Sequence, residues 1–571
     1  MALPTTEKDP QHLRAIVDMG SNGIRFSISS LQPPTARIMP TLYQNRAGIS
    51  LYDAQYNSSG ERQPIDEDTI KTVISAFQSF KRTCEDFGVP RENVTVLATE
   101  ATRTAENSED FRKQIKDAVG WDVTMLAKED EGRIGAMGIA SSLPSVNGLV
   151  MDLGGGSTQL SWLMGGEDGE VHMPESGSIS MPYGAAAMMR RLTEADKAGK
   201  IEDLKAEVMQ AVKDAYDQLK VPEELSAAAS AEHGFTLYLS GGGFRGWGYI
   251  LMSQHSIQSY PIPTINGFEA ARSAFMSTEH VKSSAAAQLQ DDDVDIFGVS
   301  NRRAGQVPAV AFLITGLAEA LPEIKEVRFC QGGVREGQLF SALASDTRKD
   351  HPLVVATLPF STTSSSQILD TMMDAFPSPG KQQPQDRYST IFVKHFISAF
   401  VHLMYYYDTH SKDLQTGAAL RCTTSGILAG AHGILHEQRA LLALLLCARW
   451  GGEVAPTDQQ FKQSLEQLVE SPFILWWVNY LGAVSSLIAA IFPAGVCGPS
   501  QACRLRLRAE WKHDESADSP VLVLNLDLGN KLTPDMLRKE IKAIEKVGKK
   551  KNWIGGKGGI GYKVQVETQA A

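Results

Sequence analysis

The sequence predicts a two-lobed α/β core followed by an all-helical domain and a small α+β unit. Three observations lead there. Strand and helix patterns alternate from residue 12 to about 345, which implies sheets with crossover helices. An apolar strand ending in Asp, then an apolar residue, Gly and small residues, occurs twice: "AIVDMGSN" (15–22) and "LVMDLGGGST" (149–158). Beyond 390 the pattern turns to long apolar helical runs, and after 500 to strands around one helix. The expected boundaries are lobe one at 12–148, lobe two at 149–345, a linker at 346–389, a helical domain at 390–499 and the α+β unit at 500–571. At 571 residues the chain has room for about three to five domains.

The elements follow in order. "RAIVDMGSNGIRFSISSL" (14–31) reads as strand, turn, strand, with Ile24, Phe26 and Ile28 alternating at period two. Ile70, Val73, Ile74, Phe77 and Phe80 recur at three and four, which predicts a helix over 69–87. Strands are expected at 94–99 and 121–126, with a helix between them capped by Ser108. A helix at 129–143 leads into the strand that ends at Asp152. Lobe two adds strands at 149–163 and 235–240, and helices at 184–195, 201–219, 267–278 and 307–320. Its last helix, about 334–345, returns to lobe one. The Ser-, Thr- and Pro-rich stretch 345–390 reads as a linker holding one short helix. In the tail, strands flank the helix "TPDMLRKEIKAIEKV", with Thr533 as cap and Pro534 at its first position.

Bulk properties narrow the class. Hydrophobic residues make up 43%, enough for sizeable cores, and the net charge of −11 argues against a nucleic-acid binder. Six scattered cysteines, none spaced CxxC, imply reduced, buried thiols and an intracellular protein. The N-terminus has no apolar signal core. "FILWWVNYLGAVSSLIAAIF" (473–492) carries no charge over the length of a membrane span. It is expected as a buried core helix, the membrane span being the alternative. The "GKGGIG" run (556–561) precedes a strand, so a dinucleotide-binding reading fails its context. The lysines around it are a solvated helix end or a surface for an acidic partner or polyphosphate.

The repeated strings carry the chemistry. Gly20, Ser21 and Asn22 in one lobe, and Gly154, Gly155, Gly156, Ser157 and Thr158 in the other, offer backbone N–H groups to phosphate oxygens. Asp18 and Asp152 can hold a hydrated Mg²⁺, which takes one or two carboxylates plus phosphate oxygens. Gly241, Gly242 and Gly243 read as a third glycine turn suited to close approach of the ligand or the opposite lobe, or as a plain tight loop.

"VDMGSNGIRF", "TEATRTAENSEDF", "EDEGRIGAMG", "MDLGGGSTQL" and "GGVREGQLF" occur in this order over 12–345, and together they resemble the Ppx/GppA family of exopolyphosphatases and guanosine pentaphosphate phosphatases. The resemblance implies an actin-like (ribonuclease H-like) core. It implies that Glu131 orients or deprotonates the attacking water, that Arg103 binds phosphate, and that Asp152 is the acid of the second lobe. Arg335 and Glu336 match a family signature that holds the last helix to lobe one. Two departures stand out. The family string "GGGSTEL" has Gln159 in place of Glu, and "RAD" becomes "RAG" at Arg303–Gly305. A neutral amide is a poor Mg²⁺ ligand and no base at pH 7. The long C-terminal extension points to a regulatory branch of the family. The expected activity is therefore binding of a nucleotide, guanosine polyphosphate or polyphosphate, with Mg²⁺, read out through a protein partner. An active phosphoanhydride hydrolase is the alternative. No nucleic acid or membrane is expected, and a homodimer is compatible.

Overall fold

A computed structural model describes residues 9–57, 61–166, 168–291, 293–377, 388–469, 471–498, 504–512, 520–529 and 532–570. The chain forms two compact units. The first comprises Met1–Ser256, Thr264–Pro352 and His432–Leu435, and the second Ile257–Pro263, Leu353–Ala431 and His436–Ala571.

The first unit holds two sheets. In lobe one, β1 (Leu13–Gly20), β2 (Gly23–Ser30), β3 (Thr41–Ala47), β4 (Val94–Ala98) and β5 (Val123–Met125) lie in the order β3-β2-β1-β4-β5. β1 runs antiparallel to β2 and parallel to β4. In lobe two, β6 (Asn147–Leu153), β7 (Thr158–Gly165), β8 (Val171–His172), β9 (Ile179–Met181), β10 (Phe235–Ser240), β11 (Glu269–Ala271) and β12 (Ile324–Phe329) follow. Their path is β8-β7-β6-β10-β12-β11, with β9 beside β7. β6 is antiparallel to β7 and parallel to β10, so the second sheet repeats the pairing of the first. This duplicated ribonuclease H-like order is the actin-like arrangement, and the glycine strings sit at equivalent β1–β2 and β6–β7 turns.

Helices fill the crossovers. In lobe one these are α1 (Glu67–Phe87), α2 (Glu100–Thr104), α3 (Ser108–Val119) and α4 (Lys128–Ser141). α1 starts where the Asp66 side chain accepts from Thr69 N and ends at Gly88, whose φ of 71° suits glycine. Asn107, not Ser108, precedes α3, and its side chain ties to the Ile65 backbone. Lobe two adds α5 (Ala185–Ala198), α6 (Ile201–Gln218), α7 (Glu223–Ala231), α8 (Gly241–Ser253), α9 (Arg272–Phe275), α10 (Thr278–Gln290), α11 (Asn301–Ala320) and α12 (Val334–Ser341). The helix expected at 267–278 is instead edge strand β11 and the single turn α9, because Ala270 pairs with Val327 on β12.

Period two decides which core each strand residue enters. Ala15, Val17 and Met19 join α1 and α3 in one core, with Val96 and Ala98. Ile16 and Leu97 point the other way, into a second core. That core gathers Ala136 and Ile139 of α4, Leu339 and Phe340 of α12, and Val150 and Leu163 of lobe two. α4 and α12 therefore lie between the two sheets. They cross closely because glycines face backbone: a Cβ at Gly337 would strike the Ile134 carbonyl, and one at Gly138 the Gly333 backbone.

The second unit is largely helical. The segment expected as a linker folds as helices α13 (Ser345–Arg348, still in the first unit), α14 (Pro352–Thr357) and α15 (Ser365–Met373), with residues 378–387 outside the described residues. Its serines start helices, and Ile368, Leu369 and Met372 are buried on one face of α15. α16 (Tyr388–Ile391), α17 (Lys394–Leu403), α18 (Lys412–Leu420), α19 (His436–Arg449), α20 (Pro456–Leu468) and α21 (Pro472–Ile491) follow. Among the described residues α21 alone is long and apolar enough to cross a membrane. Most of its side chains lie inside this unit: Trp476, Trp477 and Tyr480 are fully buried, and the Tyr480 hydroxyl donates to Ala375 O at 3.1 Å. The chain ends in strands β13 (Leu505–Lys512), β14 (Val521–Leu528) and β15 (Lys563–Ala570), with α22 (Arg538–Val547) crossing between the last two. Cys84, Cys330, Cys422, Cys447 and Cys497 are free thiols, and Cys503 lies outside the described residues.

Candidate functional site

The two glycine turns meet across one cavity of about 130 Å³. Gly20, Ser21 and Asn22 close the β1–β2 turn, and Gly154, Gly155, Gly156 and Ser157 the β6–β7 turn. The second loop is shaped from below by the first turn of α5. Ala185 N donates to Gly154 O at 2.9 Å, Ala186 N to Gly155 O at 2.9 Å and Gly184 N to Gly156 O at 3.0 Å. With its carbonyls so taken, the loop keeps the N–H groups of Gly155, Gly156 and Ser157 without a backbone acceptor among the described residues. Such a row of N–H groups is an anion cradle.

Thr158 does not face this cavity. It is buried, and its hydroxyl donates to Tyr183 O at 2.9 Å, fixing the loop from behind. The run 241–243 is no third turn but the start of α8. Gly241, at φ 91°, passes under the end of β6, where a Cβ would strike Leu153 O. Gly241 and Gly242 line the cavity, while Gly243 backs onto the Leu153 side chain.

The acids come from three elements. Asp18 and Asp152 end β1 and β6, and Glu131 stands in the first turn of α4. Asp18 is paired with Arg25 Nη1 at 3.3 Å. Burial raises the Asp18 pKa against the pull of Arg25 and Arg335, and raises Asp152 against Ser240, Arg25 and Arg245. Burial also pushes Glu131 up to about 7, with Glu100 and Asp18 adding and Arg103 opposing. Arg103 is not on the cavity wall. Its Nη2 lies 3.3 Å from Glu131 Oε2, and its Nη1 donates to Leu126 O. It thus orients the carboxylate. Glu336 goes the other way: despite its burial, Arg335, His432 and the Gly333 N–H hold it down at about 2.

The sequence suggested a structural place for Arg335 and none for three further cations. Arg25, Arg46, Arg245 and Arg335 all line the cavity. Arg245 is lowered to about 10, first by burial and then by Arg25 and Arg303. Arg46 and Arg303 are lowered by burial and by neighbouring arginines. The Arg245 Nε and the hydroxyls of Ser161 and Ser178 are buried without a partner among the described residues. Arg25 was legible as the residue two after Gly23 on the same face of β2, and Arg245 as one helical turn beyond Gly241. Arg46 had no signal, because β3 was not recognised as a strand.

Gln159 also faces the cavity, and its Nε2 donates to the Ser157 hydroxyl at 2.9 Å. The two lobes touch at the loops: a Cβ on Gly155 would strike the Asn22 amide, and one on Gly156 the Glu100 carboxylate. Arg302 of lobe two donates to Asn22 and to Ser50, and pairs with Asp53 at 3.3 Å. Arg190 stacks on Tyr56, 3.9 Å from the ring centre. The cavity is smaller than the 300–1,000 Å³ typical of ligand pockets, as expected of two lobes closed on each other.

The model of the Ppx/GppA phosphatase family matches residues 30–346, more than half of the chain. This chain belongs to the Ppx/GppA family. The model of the RTG2 C-terminal domain matches residues 351–571. Retrograde regulation protein 2 of Saccharomyces cerevisiae is 40% identical over 500 residues, covering 86% of this chain and 82% of that protein. A guanosine-5'-triphosphate,3'-diphosphate pyrophosphatase of Pseudoalteromonas atlantica is 25% identical over 210 residues, 35% of this chain and 38% of that one. Among solved structures, the Aquifex aeolicus Ppx/GppA family member aligns with a TM-score of 0.43 at 22% identity, covering 58% of this chain and 96% of that one. Within this Ppx/GppA chain the family strings fall on the β1–β2 turn, α2, α4, the β6–β7 turn and α12.

Proposed function

We propose that this protein binds a ligand carrying several phosphates between the two glycine turns and acts as a cytoplasmic regulator of retrograde signalling through a protein partner. The observation that carries the reading is the charge of the cavity. Four arginines line it, burial and the nearby Arg25 lower both Arg46 and Arg245, and unpartnered N–H and O–H donors face the same space. An anion of high charge relieves that repulsion, and Arg forks match phosphate geometry. Gln159 supports binding over chemistry. By donating to Ser157, its amide leaves the serine proton free for a phosphate oxygen, whereas a carboxylate there accepts that proton. The regulatory role rests on likeness to the yeast protein named for retrograde regulation.

Mg²⁺ fits the acids: Asp18 and Asp152 are buried carboxylates that sense one another, and either or both would hold the ion. When bound, it would neutralise phosphate charge.

One observation favours hydrolysis as a second reading. A carboxylate titrating near 7 and oriented by Arg103 is suited to general-base work. Glu131 would take a proton from water as the water oxygen bonds the terminal phosphorus. The bond to the bridging oxygen breaks, and the leaving phosphate carries the electron pair away.

Calorimetric titration and phosphate release with tripolyphosphate, ATP and guanosine tetraphosphate, each with Mg²⁺, separate these readings. Binding lost in Arg245→Ala without turnover supports the first. Turnover abolished by Glu131→Gln supports the second, and absence of binding overturns both.

A further inference from the structure

The C-terminal segment 538–557 carries eight cations and only two carboxylates, in a chain whose net charge is −11. Arg538, Lys542 and Lys546 repeat every four residues along α22 and are exposed. Lys549, Lys550, Lys551 and Lys557 are exposed on the loop that follows, and Lys539 flanks the row. None of the eight lies within ion-pair distance of a carboxylate among the described residues. By contrast Lys512, on β13 of the same sheet, pairs with Glu567 at 2.9 Å and with Glu510 at 3.7 Å.

The loop is built. Gly548 allows the chain to turn against Val564, where a Cβ would strike the backbone nitrogen. Asn552 Nδ2 donates to Lys546 O at 2.6 Å, and Trp553 Nε1 to Gly548 O at 3.3 Å. Ile554 and Ile560 bridge in both directions, at 3.0 and 2.8 Å. The helix dipole rewards only a cation in the last turn, which accounts for Lys546 and not for the row before it or the loop after it.

We infer that α22 and the 549–557 loop form a docking surface for an acidic segment of a protein partner. The row of three advances about 6 Å per step. That spacing is close to every second side chain of an extended peptide, about 6.8 Å apart. Glu540 and Glu545 interrupt the cations, which disfavours a uniform polyanion such as nucleic acid or polyphosphate and suits a peptide of mixed sequence. The surface lies in the second unit and stands independently of what the cavity of the first unit binds.

The test uses the full chain and a short fluorescein-labelled peptide with Asp at every second position, read by anisotropy. Lys542→Glu/Lys546→Glu is expected to weaken binding about tenfold or more, and Lys197→Glu/Lys200→Glu, with the same charge change on α5 and its C-terminal loop, is expected to leave it unchanged. Binding also falls as salt screens the surface. A milder Lys549→Gln/Lys550→Gln pair covers any folding defect of the first variant. The inference is overturned if the native chain does not bind the peptide at low salt. It is overturned equally if the control loses as much, or if tripolyphosphate or a single-stranded oligonucleotide displaces the peptide more effectively than unlabelled peptide does.

Discussion

Replacing Gly337 by Ala tests how the site is held. Gly337 lies on α12, and an added Cβ would stand 1.8 Å from the Ile134 carbonyl oxygen of α4. Real Cβ contacts essentially never fall below 3.0 Å, so the helices must part by about 1.2 Å. The neighbour is backbone, which has no rotamer to change. Overpacking costs about 1–3 kcal/mol, and this case belongs at the upper end. Ile134 is three residues beyond Glu131, so that carboxylate moves with the helix. With two compact units a single global unfolding energy is ill-defined, and hydrogen exchange of the α4 and α12 amides reads the change locally. Protection there is expected to fall by about 3 kcal/mol. Gly305→Ala, on α11 with nothing within 4 Å of the added carbon, is expected to gain about 0.5–1 kcal/mol. If Gly337→Ala changes α4 protection by less than about 0.5 kcal/mol, the interlocked-glycine argument is refuted.

Other outcomes follow from the same geometry. Glu131 is raised to about 7, so its contribution to stability is complete below pH 4.5 and is lost as pH rises through 7; thermal midpoints of Glu131→Gln should lack that decline. Glu336, held at about 2, contributes above pH 4.5 and loses that contribution as pH falls toward 2, so Glu336→Gln should flatten the acid side of the same curve. Gln159→Glu should weaken tripolyphosphate binding about tenfold, by adding a negative charge and taking the Ser157 proton, as measured by calorimetry. Tyr480→Phe leaves the buried Ala375 carbonyl without its donor and should cost about 1–2 kcal/mol in urea unfolding of the second unit.

Strand residues were legible where period two met a glycine turn, as at 15–28 and 149–163, because burial on both faces leaves an apolar run with Asp at its end. The 346–389 segment was not, because serine and threonine that start a helix have the same composition as a linker; only the spacing of Ile368, Leu369 and Met372 tells them apart. Edge strand β11 was hidden for a related reason: three residues are too few to show a period. In the site, the glycines and Asp18, Asp152 and Glu131 could be named from their strings. Arg25 and Arg245 stood within reach of those glycines but carried no mark of their own, Arg46 lay on a strand that showed no pattern, and only the fold brings the three from separate elements to one wall.

The α4–α12 pair gives the first unit a spine. The chain passes between the lobes on either side of it, after α4 and before α12, while the Arg302 and Arg190 contacts lie at the fore-edge. A book opened at its fore-edge moves least near the spine. Glu131 rides on that spine, so a parting of Asn22 from Gly155 would displace the loops far more than the carboxylate. The contacts that join the loops and the packing that places Glu131 are thus mechanically separable, and a change at one can leave the other in place.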